Sequence, residues 1–233
     1  MADQTVACWS GGKDSCLALY RALAEGIRVR ALVNLLTHDG TRSIFQDIPA
    51  SIIRLQAQSL KLRLIQISYH EHENPQNCER QSDFWLKEIR AREHARAVIS
   101  GHIGTQDIQR KQMLRQCRKA GLRLIEPLSG EDPENLLDNF LRLKFEAVIV
   151  KVDSTRLAPS WLGHTIDRHF IQQLKKLKNV NLSGDLGEYH SLVLAGPLFA
   201  QRIEISELKP IRSGDTWMLQ IGKSRLGAAS ELK

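Results

Sequence analysis

Thr5-Val6-Ala7-Cys8-Trp9-Ser10-Gly11-Gly12-Lys13-Asp14-Ser15 is an apolar run that breaks into two glycines, small hydroxyl residues and a lysine. The next residues are helical in pattern: Leu17, Tyr20, Leu23 and Ala24 recur on one face, and Gly26 stands where a helix C-terminus would end. A strand, a glycine-rich turn and a helix start make a cradle for an anion. Glycines let the backbone approach it, and unpaired N–H groups point at it with the helix dipole behind them. The spacing is neither that of the Walker loop nor that of the three-glycine dinucleotide fingerprint. A plain βα turn with a serine N-cap is the simpler alternative, and the six-residue run in this context outweighs it.

Outward from that loop, apolar strands alternate with amphipathic helices, which predicts a parallel α/β sheet. Strands are expected at Thr5–Trp9, Val29–Leu36, Arg63–Ser68, Ala97–Ser100, Leu122–Ile125 and Ala147–Val152. Helices are expected at about Ser51–Leu60, Ser82–Arg92 and Gln106–Ala120, with a polar loop over His70–Asn77. Asp132-Pro133 reads as an N-cap and first helical residue for a helix ending near Lys144. Past Asp153 the pattern changes to a loop at Pro159–Gly163, a helix over Ile166–Leu177, and turn and strand over Leu182–Ile205. The expected division is a Rossmann-like nucleotide domain over residues 1–152 and a smaller α+β domain over residues 153–233. Ligands of open parallel sheets bind beyond the strands' carboxyl ends. That places His38 and Asp39 on a nucleotide's base side, and Gly101 and His102 on the acceptor side.

Composition narrows the class. With 233 residues and 42% hydrophobic content the chain can bury a substantial core. No run of 18 apolar residues predicts a membrane span, and Met1-Ala2-Asp3-Gln4 has no secretory character, so a cytoplasmic protein is expected. Cys8, Cys16, Cys78 and Cys117 form no Cys-x-x-Cys pair, which argues against a zinc knuckle, an iron–sulfur site or a disulfide framework. The net charge of +7 suits nucleotide phosphates, RNA or an acidic partner alike.

A second unusual stretch is Ser183-Gly184-Asp185-Leu186-Gly187-Glu188-Tyr189-His190-Ser191, continued by Gly196-Pro197-Leu198-Phe199. On a strand Glu188 and His190 face the same way and Tyr189 the other. A carboxylate beside an imidazole can position a nucleophile, move a proton or hold a cation.

Ser10–Ser15 resembles the SGGxDS signature of the PP-loop ATP pyrophosphatases, whose fold is that of the adenine nucleotide α-hydrolases. Together with Gly187-Glu188-Tyr189-His190-Ser191 and Gly196–Phe199, it resembles the diphthine–ammonia ligase family within that group. Leu55–Leu60, Ser100-Gly101, Glu126-Pro127-Leu128 and Lys151-Val152-Asp153 with Leu162-Gly163 extend the likeness over about residues 5–205. The resemblance implies ATP and Mg2+, attack of a carboxylate on the α-phosphate, and displacement of AMP from the acyl-adenylate by ammonia or an amine. It implies that Ser10, Gly11, Gly12, Lys13, Asp14 and Ser15 bind the nucleotide, with Asp14 bracing the loop or helping to hold magnesium. Lys13, Glu188 and His190 would act in catalysis, with Glu188 orienting or deprotonating the amine and His190 holding the acceptor. Gly101, His102, Gly184, Gly187, Tyr189 and Ser191 would line the acceptor side.

Departures from the family pattern stand at Gln46, His102, Ser129, Ser191 and Ala195, and His190 matches a bacterial-type subgroup linked to other carboxylates, such as corrinoid-type precursors. Partners expected are a small-molecule or protein carboxylate, ammonia or a separate amine donor, and a second copy in a homodimer; nucleic acid is not favoured. The alternatives are a tRNA-modifying enzyme that adenylates a base and a nucleotide-binding protein without turnover.

Overall fold

The computed structural model describes residues 4–68, 75–105, 108–178 and 180–229. Two compact units account for them. One comprises residues up to Ser10, Asp14–Phe45 and Leu62–Gly130; the other comprises Gly11–Lys13, Gln46–Lys61 and Glu131 onward.

The first unit is a parallel sheet of β1 (Thr5–Cys8), β2 (Val29–Leu36), β3 (Arg63–Ser68), β4 (Ala97–Ile99) and β5 (Arg123–Ile125), in the order β3-β2-β1-β4-β5. Its helices are α1 (Lys13–Ala24), α3 (Pro75–Arg92) and α4 (Ile108–Lys119), and α2 (Ala50–Ser59) belongs to the second unit. The core is the continuous apolar content of the strands, Val6, Ala31, Val33 and Val98, packed against Trp85, Leu86, Ile89 and Cys117. Ala7, Leu32 and Ile99, on the opposite face, are buried as well, and such two-sided burial is what unbroken apolar strands predict. Successive strands run outward from β1 to β3 and then resume on its other side at β4. The strand order therefore reverses between β1 and β4, where open α/β sheets take their ligands.

The second unit carries α5 (Pro133–Arg142), β6 (Glu146–Asp153), α6 (Arg168–Leu174), β7 (Tyr189–Ala195), β8 (Gln201–Ser213) and β9 (Thr216–Ala229). Its strands form an antiparallel sheet in the order β7-β6-β9-β8. Asp132 caps α5 by accepting the Asn135 N–H at 3.0 Å, with Pro133 in the first turn, as the Asp-Pro pair predicts. Phe140 stacks on Phe145, and Phe170 meets Tyr189 edge-on with centroids 5.2 Å apart, filling this unit's interior.

Several expectations change. The apolar strand at Ala147–Val152 does not extend the parallel sheet; it pairs antiparallel with β7 and β9. An apolar run reports burial, and both kinds of sheet bury strands. The compact units accordingly part between Gly130 and Glu131, so the division expected after residue 152 falls too late in the chain. Helix α1 has no single apolar stripe, since Cys16, Leu17, Ala18 and Leu19 are all buried while Ala24 is exposed. Helix α3 starts at Pro75, earlier than Ser82. The rest of the polar loop expected from His70, and Gln106 at the expected start of α4, lie outside the described residues.

Candidate active site

In the first unit the phosphate-loop motif leaves the carboxyl end of β1. Ser10 Oγ and Ser15 Oγ lie 3.1 Å apart, and Asp14 stands in the first turn of α1. Gly101, just past β4, packs against this turn: a Cβ there would come within 2.7 Å of the Ser15 nitrogen and 2.8 Å of the Asp14 carbonyl carbon. Backbone cannot yield as a flexible side chain can, so only glycine fits beside the helix start. The strand-order reversal thus brings Gly101 to the loop, as the topology predicts. His102 is its neighbour in the chain and is half-buried. Asn34, fully buried, donates to the Trp9 carbonyl at 2.8 Å and to Ser43 Oγ at 2.9 Å, fixing the chain at the loop's entrance. The sequence signal for it was a lone amide inside the apolar run Ala31–Leu36 of β2. Asp39 instead closes its own turn. It accepts from Thr37 and Thr41, and these hydrogen bonds hold its carboxyl down at about 2, so it serves as a turn brace.

In the second unit Gly11, Gly12 and Lys13 meet the Glu188–Ser191 segment. The Lys13 N–H donates to Ser191 Oγ at 3.1 Å, and the Ser191 N–H donates to Gln46 Oε1 at 3.1 Å. Gln56 Nε2 donates to the carbonyls of Gly11 at 3.1 Å and Val193 at 2.7 Å. Gly11 has φ +85°, and a Cβ on it would lie 2.5 Å from Ile53 Cδ1, so its glycine is required twice over. The Lys13 side chain is buried; its ammonium donates to the Ser183 carbonyl and lies 5.3 Å from the centre of the Tyr189 ring. Tyr189 is fixed by donating its hydroxyl to the Leu182 carbonyl at 2.7 Å.

Glu188 has a different place from the one expected. It is fully buried, and both carboxylate oxygens are engaged. Oε1 accepts the Asn181 N–H at 2.9 Å and pairs with the Arg156 guanidinium at 3.3 Å, while Oε2 accepts the Leu186 N–H at 3.0 Å. A carboxylate so enclosed neither meets an incoming amine nor takes its proton; it pins the turn at Gly184 and Gly187. Period-two alternation predicted a shared face for Glu188 and His190, but Glu188 precedes β7 and turns into the loop it supports.

His190 lies against the Gln46 carbonyl, and its buried Nδ1 has no hydrogen-bond partner among the described residues. Burial first, and then the Lys151 charge, push the imidazole down to about 4; Lys13 adds to this, and the Gln46 carbonyl and Asp47 oppose it. The ring is neutral at physiological pH. Sequence reading missed Gln46's function as a brace, and missed Gln56, Arg156 and Lys151. Gln56 was visible only as an amide on the apolar face of α2, beside Ile52 and Ile53.

The cysteines are packing residues where described. Burial raises the Cys16 thiol well above its usual range and pushes those of Cys8 and Cys117 up to about 12, which removes the thiolate that redox or sulfur-transfer chemistry needs. Among the described residues no helix is long and apolar enough to cross a membrane, and no group of three or more His, Cys, Asp or Glu could hold a metal ion.

Residues 3–124 match the model of the diphthamide synthase N-terminal domain and residues 132–227 that of the diphthamide synthase C-terminal domain. The diphthine–ammonia ligase of Schizosaccharomyces pombe is 28% identical over 233 residues, covering 91% of this chain and 38% of that protein. The chain thus spans well under half of the yeast relative's length. The Rattus norvegicus and Homo sapiens proteins of the same name are 29% and 28% identical, over 84% and 83% of this chain and 80% and 79% of their own. A solved structure described as a predicted subunit of tRNA methyltransferase from Methanocaldococcus jannaschii superposes with TM-score 0.46 and 14% identity, over 83% of this chain and 97% of that one. With both domain models matched in order along its length, the chain belongs to the diphthamide synthase family.

Proposed function

We propose that the protein is an ATP-dependent ligase that turns a carboxylate into an amide through an acyl-adenylate. A carboxylate oxygen attacks the α-phosphorus of ATP, and the bond to the bridging oxygen breaks with loss of pyrophosphate. Ammonia then adds to the acyl carbon, AMP leaves with the electron pair of the acyl–oxygen bond, and one proton is released. Family membership supports the reaction class. The observation that carries the phosphate site is the loop at the carboxyl end of β1, with Gly101 seated against the Asp14–Ser15 backbone.

Each residue then has a task. The hydroxyls of Ser10 and Ser15, 3.1 Å apart, and the N–H groups at the start of α1 take the pyrophosphate oxygens. Lys13 supplies positive charge, while Ser191 and Gln56 hold the strand of loop that carries it. Tyr189, Gly184 and Gly187 shape the neighbouring turn, and Glu188 locks that turn from within. His190, neutral and beside Lys13 and Lys151, offers a hydrogen-bonding side chain with no charge of its own.

Magnesium would shield phosphate charge from an anionic nucleophile. One carboxylate, Asp14 in the first turn of α1, with the paired hydroxyls of Ser10 and Ser15 in the same loop, suits an ion carried in on ATP, which keeps most of its ligands as phosphate and water. The relatives' name makes diphthine the first carboxylate acceptor to test, with free ammonium as nitrogen source, in a cytoplasmic setting. RNA modification and turnover-free nucleotide binding are not favoured by the family.

The direct test pairs Mg-ATP and ammonium with a diphthine-bearing substrate and tracks AMP, pyrophosphate and amide. Stoichiometric formation of all three, lost in Ser10→Ala, is the expected result. ADP and phosphate as products would overturn the reading.

A further inference from the structure

The ladder between β6 and β7 is interrupted at two places, between Glu146 and Ala147 and again between Ile149 and Lys151, and the second lies beside His190. Ala147 faces Val193, Val148 faces Leu192 and Ile149 faces Ser191; the register then shifts, and Lys151 faces His190. An unbroken antiparallel ladder would set Val150 opposite His190 and turn Lys151 to the other face. The extra residue is a β-bulge, a device that re-aims side chains. Its effect here is to place a cation beside the imidazole where a regular strand would place a valine.

We infer that Lys151 is a second phosphate-binding residue, paired with Lys13 around His190, and that the bulge exists to deliver it; this rests on the ligase reading. Residues directly opposite across a ladder share a face and stand close enough for their side chains to interact. Lys151 is partly exposed, and its counter-ion, Asp47 Oδ2, is 4.0 Å from its ammonium, at the outer limit of an ion pair. Lys13 belongs to the phosphate loop itself and acts on the same ring. Two lysines match the charge that magnesium leaves on ATP, which one loop lysine does not. The imidazole's depressed titration agrees with both cations being near: burial is its largest cause and Lys151 the next, with Lys13 adding and Asp47 opposing. His190 Nδ1, buried without a partner among the described residues, marks a polar atom whose hydrogen bond is still to be made.

Calorimetric titration of the full chain with inorganic pyrophosphate and with Mg-ATP tests this, using Lys151→Gln, Lys151→Arg and Ser10→Ala. Losing one charge-assisted contact should weaken both ligands about tenfold in Lys151→Gln, at unchanged thermal unfolding. Lys151→Arg should recover most of the affinity. Wild-type affinity in Lys151→Gln, with Ser10→Ala weakened, would overturn the role of Lys151 and leave the ligase reading standing. An unchanged nucleotide affinity with a raised KM for the carboxylate acceptor would also overturn it, by assigning the cation to the acceptor. Failure of the wild-type protein to bind either phosphate ligand would remove the ligase reading and this inference together.

Discussion

Ser191 Oγ accepts the backbone N–H of Lys13 at 3.1 Å, across 178 positions of sequence. The phosphate-loop lysine and the segment after Glu188 therefore belong to one compact unit, although the lysine stands at the start of a helix of the other. Lys13 is at the first turn of α1, where backbone donors lack helical partners, and the serine hydroxyl takes one of them.

Replacing that hydroxyl should be felt at the loop. Ser191→Ala removes the buried hydroxyl acceptor of the Lys13 N–H, which costs about 1–3 kcal/mol. Weaker pyrophosphate binding and a lower unfolding temperature are expected, both restored in Ser191→Thr. Calorimetry and thermal unfolding check both; a threonine variant as impaired as alanine would show that the hydroxyl is not the feature that matters.

Glu188→Gln separates support from catalysis. An amide cannot satisfy the Asn181 and Leu186 N–H groups and the Arg156 guanidinium together, so a loss of roughly 2–4 kcal/mol is expected. Denaturant unfolding should show the loss directly. A variant of full stability with amide formation selectively abolished would return Glu188 to a catalytic role.

Gly101→Ala should abolish nucleotide binding more than it affects folding elsewhere. The added Cβ, 2.7 Å from the Ser15 nitrogen, must displace the first turn of α1. Titration with Mg-ATP is the measurement, and wild-type affinity would mean that the turn has slack.

The acid side of the stability profile carries the signature of His190. Its folded-state pKa of about 4 lies below the ordinary 6.5, so the unfolded chain binds the proton more readily between these values. Its contribution is complete above about pH 6.5 and is lost as pH falls through about 4. The local slope approaches ~1.4 kcal/mol per pH unit. Lys151, Lys13 and Asp47 are the charges facing it. His190→Gln should flatten the pH 4–6.5 limb in urea titrations; an unchanged limb would place the linkage elsewhere.

Much of the first unit was legible in the sequence because its signals are local. Val29–Leu36 and Arg63–Ser68 are observed at the expected bounds, and the glycine pair fixes the loop between β1 and α1. The strand at β6 was legible as a strand and misassigned to a sheet, since parallel and antiparallel partners bury it equally. The long hairpin β8–β9 had no clear period, because much of it is exposed. At the site, residue types were readable and their contacts were not. Alternation put Glu188 beside His190, whereas three donors around its carboxylate decide its place. Lys151 reaches His190 only through a one-residue bulge, which no pattern of hydrophobicity announces.

Phosphorus NMR of Mg-ATP and ammonium, with a diphthine-bearing substrate and separately with total tRNA, tests the ligase assignment most directly. AMP and pyrophosphate appearing only with the carboxylate substrate, and vanishing in Ser10→Ala, is the predicted result. Cleavage to AMP stimulated by tRNA alone, or release of ADP and phosphate, would contradict it.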